Sequence, residues 1–73
     1  MNNKESLLLD RINEEYELRI QNGGSKDNNV FSKELFISKY GYSNSEIEDL
    51  VSALASYGVI KKWITGDFAL VID

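Results

Sequence analysis

The chain has 73 residues, 42% hydrophobic and 27% charged, with 8 Lys and Arg against 12 Asp and Glu, for a net charge of −4. That describes one globular domain near the lower size at which a core holds without covalent or metal staples. The lack of cysteine and histidine excludes disulfides, thiolate or imidazole metal sites and most acid–base and nucleophilic catalysis.

The longest apolar runs, Leu7 to Leu9 and Phe68 to Ile72, fall far short of the roughly 20 residues that span a bilayer. The opening Met-Asn-Asn-Lys-Glu-Ser has neither the basic nor the apolar region of a secretory signal. The expectation is a single cytoplasmic domain over residues 1–73, with no cofactor, no metal and no membrane partner.

Asn2 or Asn3 can cap a first helix, Glu5 is spaced to close a capping box with Asn2, and Leu8, Ile12, Tyr16 and Ile20 form one apolar stripe. This helix is expected to stop before Gly23 and Gly24, and Asn22 to Asn29 (NGGSKDNN) has the composition of a mobile loop. Val30 and Phe31 follow as a short extended segment. Ser32 then stands as a second N-cap, with Phe31 and Phe36 at the spacing of a hydrophobic staple. The second helix runs through Leu35, Phe36 and Tyr40 to Gly41, too short to persist without packing.

Ser43-Asn44-Ser45-Glu46 reads as a capping box for a third helix, flanked by Tyr42 and Ile47 at staple spacing. Ile47, Leu50, Val51 and Leu54 make its apolar face, and Gly58 ends it with Val59 placed to pack back on Leu54. Val59 to Ile64 and Phe68 to Ile72 read as strands of a hairpin turning at Thr65-Gly66-Asp67. A two-residue turn at Gly66-Asp67 sets Trp63 opposite Leu70, whereas a three-residue loop sets it opposite Ala69, and the letters leave both registers open.

From Phe31 onward this order resembles the winged helix-turn-helix superfamily. The likeness is carried by Ser32 to Gly41 (SKELFISKYG) for the second helix and Tyr42 to Ser45 (YSNS) for the turn. Glu46 to Gly58 supplies the third helix, and Ser56 to Ile60 (SYGVI) the step from recognition helix to wing. The resemblance implies an α+β domain, mainly α, with three helices and a C-terminal β-hairpin wing. It also implies that the third helix enters the DNA major groove while basic wing residues hold phosphate.

The chain departs from that expectation in its charges. The first turns of the third helix carry Glu46, Glu48 and Asp49, and no lysine or arginine occurs between Lys39 and Lys61. The positions expected to face solvent, Asp49, Ser52, Ala53 and Ser56, include none of the Arg, Asn or Gln that make bidentate base contacts. The acidic triplet has two readings: it complements the helix dipole, worth about 0.3–1 kcal/mol per residue, or it forms an acidic binding surface. Lys61, Lys62 and Trp63 likewise read as a phosphate grip with a stacking ring, or as a core tryptophan beside edge lysines that discourage sheet addition. Phe68 to Ile72 is apolar on both faces, which calls for cover by the first helix on one side and a partner or second subunit on the other.

Two binding roles follow. The first is a small acidic winged-helix regulator or inhibitor, of a size and Asn-rich composition suggesting a phage or mobile element. It would contact a basic nucleic-acid-binding protein through Glu46, Glu48, Asp49, Trp63 and Leu70. The second is a dimeric DNA-binding transcriptional regulator, with Lys33, Lys39, Lys61 and Lys62 on phosphate and Asn44 and Ser45 at the start of the third helix. Enzymatic activity is not expected: adjacent carboxylates such as Glu14–Glu15 and the close pair Glu46–Glu48 diverge on a helix, and no phosphate loop or metal motif accompanies them.

Overall fold

A computed structural model describes residues 1–72. Its elements, in chain order, are α1 (Asn3–Gln21), β1 (Val30–Phe31), α2 (Lys33–Tyr40), α3 (Asn44–Ser56), β2 (Ile60–Lys62) and β3 (Phe68–Leu70). The fold is α+β and mainly helical, and its order is compatible with the winged-helix arrangement.

The helix starts follow local chemistry. The Asn2 side chain accepts from the Glu5 amide at 2.8 Å while the Asn2 amide donates back to Glu5 Oε1 at 2.9 Å, a complete capping box. At α3 the Ser43 hydroxyl accepts from the Glu46 amide at 3.1 Å, so that half of the expected box is present. Ser32 occupies the cap position of α2 but makes no side-chain bond to it. The staple does its work there instead, with Phe31 meeting Phe36 edge-on at 6.0 Å between ring centroids.

Leu8 and Ile12 of α1, Phe31, Phe36, the α3 face Ile47, Leu50, Val51 and Leu54, and the strand residues Ile60, Phe68 and Leu70 form one core. Its centre is aromatic: Phe31 stacks on Phe68 at 6.1 Å, and Phe36 meets Phe68 at 5.6 Å. Tyr16 and Val59 pack at its edge.

The loop after α1 is fastened by that helix. The Arg19 guanidinium donates to the Asn28 and Val30 carbonyls and lies 4.0 Å over the Phe31 ring, and Tyr16 donates to the Lys26 carbonyl at 2.8 Å. Asn29 adds a bond to the Leu70 carbonyl at 2.7 Å. A Cβ at Gly24 would fall 2.7 Å from the Arg19 carbonyl oxygen, so that turn is closed to any side chain.

The three strands form one antiparallel sheet in the order β1-β3-β2. Val30 faces Ala69 and Phe31 faces Phe68 on one side, and Ile60, Lys61 and Lys62 face Leu70, Ala69 and Phe68 on the other. The hairpin adopts neither expected register. The Trp63 amide donates to the Asp67 carbonyl at 2.9 Å and the Gly66 amide to the Trp63 carbonyl at 3.0 Å, so Ile64, Thr65 and Gly66 form the loop. Gly66 has φ +96°, the left-handed position such a loop needs before the chain re-enters the ladder.

The sheet order also corrects the reading of β3. Phe68, Ala69 and Leu70 are all buried within the single chain, where β3 is the central strand with β1 and β2 on either side. The rest of the expected run, Val71 and Ile72, is exposed. Leu70, expected as a partner contact, is 6% exposed and belongs to the core opposite Ile60.

Candidate protein-contact surface on α3 and the hairpin loop

The carboxylates at the start of α3 are not equivalent. Glu46 lies 3.6 Å from the Lys4 ammonium in an exposed pair. Glu48 Oε1 accepts from Lys33 Nζ at 2.6 Å and from Asn44 Nδ2 at 3.4 Å. The hydrogen bond and charge of Lys33 hold the Glu48 carboxyl below its ordinary range, and the same bond raises the Lys33 ammonium. Among the described residues no cation stands within ion-pair distance of Asp49, which is exposed.

The lysines named for phosphate are also divided. Lys33 is committed to Glu48, and Lys39 Nζ donates to Glu15 Oε2 at 2.6 Å. Lys62 Nζ donates to Ser52 Oγ at 2.9 Å, while Lys61 is exposed on the edge strand β2. Asn44 and Ser45 are exposed in the first turn of α3. The structure therefore brings Lys33, Glu48, Asp49, Lys62 and Trp63 together and leaves Lys39, Glu46 and Leu70 elsewhere.

These residues line an open groove of about 520 Å³ shared by α3, Lys33 and the hairpin loop. Its lining is mixed: Lys33, Glu48, Asp49, Ser52 and Lys62 are polar, Trp63 and Ile64 of the hairpin are exposed and apolar, and Ile47 and Val51 are core residues that barely reach it. The Lys33 stem runs under the loop, its Cε 3.3 Å from where a Gly66 Cβ would stand, before its ammonium reaches Glu48. α2, α3 and the hairpin are thus joined through one side chain.

Trp63 is 48% exposed and Ile64 wholly exposed, at 106% of its reference area. The sequence reading placed Ile64 inside a strand and missed it. Placing the loop at Ile64-Thr65-Gly66, which a three-residue turn ending in glycine permits, would have found it.

Glu15 was also missed as a structural residue. It is 8% exposed and its Oε2 accepts from both Lys39 Nζ and the Tyr40 hydroxyl, each at 2.6 Å. Burial pushes its carboxyl up, but the bonds from Lys39 and Tyr40 and the charges of Lys39 and Arg19 outweigh this and leave it below its ordinary value. Burial, with the bond to Glu15, raises the Tyr40 hydroxyl to about 12. The available signal was spacing: Leu8, Ile12 and Glu15 lie on one face of α1.

Among the described residues no helix is long and apolar enough to cross a membrane, and no cluster of three or more Asp and Glu is placed to hold a metal ion. Comparison with known proteins gave no matching family model, no matching curated protein and no matching solved structure.

Proposed function

We propose that the chain is a winged-helix interaction module that works as a small regulator or inhibitor by contacting another protein with α3 and the hairpin loop. The observation that carries this reading is Ile64, fully exposed on the groove wall beside a half-exposed Trp63. Covering an isoleucine is worth roughly 1.5–3 kcal/mol, or about ten- to a hundred-fold in affinity, so a surface that displays one gains most from an apolar counterpart.

Charge supports the same choice. A DNA-binding face needs uncommitted cations, yet Lys33 and Lys39 each hold a carboxylate of this chain, and in the groove that would face phosphate Glu48 and Asp49 offset Lys33 and Lys62. A basic protein, such as one that itself binds nucleic acid, meets a chain of net charge −4 without that repulsion. The competing reading, a DNA-binding regulator, keeps one observation in its favour: Lys61 and Lys62 pair with no carboxylate among the described residues and stand beside Trp63.

Two measurements decide between them. Fluorescence anisotropy of labelled duplex DNA at low salt is expected to show no binding, and micromolar binding that weakens steeply with salt would favour the DNA reading. Capture of proteins on the immobilised chain is expected to be lost in Ile64→Asp. Capture unchanged by that substitution, together with DNA binding, refutes the proposal.

A further inference from the structure

α1 carries a second stripe beside the one it buries. Leu8, Ile12 and Glu15 face the core, whereas Leu7 and Leu18 are 46% and 39% exposed on a flank that also holds Arg11 and Glu14. The four residues are spaced 4, 3 and 4 apart, which keeps them on one side of a helix of about 3.6 residues per turn. Neither charge is neutralised inside the chain. Among the described residues no carboxylate lies within ion-pair distance of Arg11, and no cation within that distance of Glu14. Arg11 is nonetheless held in place, with its guanidinium 4.7 Å from the Tyr40 ring centroid and donating to the Tyr42 hydroxyl at 2.8 Å. Its other N–H groups remain free to donate.

The order of the four residues is self-complementary. Leu7 and Leu18 are equidistant from the midpoint between Ile12 and Asn13, and so are Arg11 and Glu14. From this we infer that two copies of the chain associate through this flank, their α1 helices antiparallel about a two-fold axis at that midpoint. Leu7 of each copy packs on Leu18 of the other, and Arg11 of each pairs with Glu14 of the other. A parallel pair would set Arg11 on Arg11 and Glu14 on Glu14, so charge selects the antiparallel one. A different protein would have to supply apolar, anionic, cationic and apolar positions in matching order, and a second copy run backwards already does.

On the outer flank Asp10 of one copy comes near Glu17 of the other, but both are exposed and water screens their repulsion. Four partly exposed leucines and two ion pairs make a small contact, for which a dissociation constant of about 10–200 µM is expected. None of the four residues lines the groove of α3 and the hairpin loop, so the association stands apart from the contact proposed above.

The test is sedimentation velocity of the full chain from about 5 to 500 µM, where monomer should pass to dimer as concentration rises. Leu18→Glu, at an exposed position, should weaken the dimer at least about ten-fold. Glu14→Lys and Arg11→Glu should each weaken it alone, and their equimolar mixture should dimerise again, since each charge then meets its opposite across the axis. Urea melts establish that the variants compared are folded. The chain has no cysteine of its own, so Leu7→Cys and Leu18→Cys, oxidised together, read the geometry without altering a charge. Peptide mapping should find the mixed disulfide in excess of random pairing.

A monomer at every concentration, a dimer unaffected by Leu18→Glu, no recovery on mixing the two folded charge variants, or an excess of like disulfides overturns the inference. Protein capture that still depends on Ile64 in a chain that never dimerises leaves the α3 and hairpin contact standing.

Discussion

Replacing Glu15 by alanine removes the one acceptor shared by Lys39 and Tyr40, and the size of the loss can be worked from their surroundings. Lys39 is about half exposed (47%) and can turn to water, so its share is that of a surface ion pair, about 0–1 kcal/mol. The Tyr40 hydroxyl is less free, since its ring is stacked on Phe36 at 5.6 Å and lies under the Arg11 guanidinium at 4.7 Å. Leaving a confined donor without its acceptor costs about 1–3 kcal/mol. The expected destabilisation of Glu15→Ala is therefore about 2–3 kcal/mol, a fall in Tm of roughly 10–20 °C for a domain of this size. Glu15→Gln keeps an oxygen for Tyr40 and loses the charge, so it should lose about half as much. Urea denaturation at neutral pH, with Tm from circular dichroism, reads both. Glu15→Ala within 0.5 kcal/mol of the parent, or Glu15→Gln as costly as Glu15→Ala, would refute the reasoning.

The same group sets two pH dependences. Glu15 is held below its ordinary 4.5, so its contribution is present above that value and is lost as pH falls through the lower folded value, a loss that Glu15→Gln should lack in acid titrations. Tyr40, raised from 10.0 to about 12, contributes stability below pH 10 that fades between 10 and 12, and Tyr40→Phe should reduce that alkaline decline. Ser43→Ala should cost about 1 kcal/mol in urea melts through loss of the α3 cap, while Ser32→Ala, with no bond to lose, should stay within a few tenths. Leu70→Ala should cost about 2–5 kcal/mol as a core truncation, whereas Ile64→Asp should leave the unfolding midpoint near that of the parent.

What the letters disclosed was local. Caps, staples and the face Ile47–Leu50–Val51–Leu54 depend on residues within a turn or two of each other, and these appear in the structure nearly as spaced in the sequence. What they concealed was long-range. Lys33 and Glu48 are 15 positions apart and Glu15 and Lys39 are 24 apart, so charges that read as unpaired along the chain cancel across elements. β1 has only two residues, too few for any periodicity, so its pairing with β3, which makes β3 the central strand, is not legible in the letters. The hairpin register turned on which residues precede the left-handed glycine, a choice that composition does not make.

The place of β3 between β1 and β2 has a consequence for how the molecule is made. β3 comes after every other element in the chain, yet it bridges the two remaining strands and supplies Phe68 to the aromatic centre. During synthesis α1, β1, α2, α3 and β2 leave the ribosome before any residue that can knit them into a sheet. Until then Phe31 and Phe36 are uncovered on that side, and a nascent chain stalled ahead of residue 68 should behave as loosely associated helices that chaperones recognise.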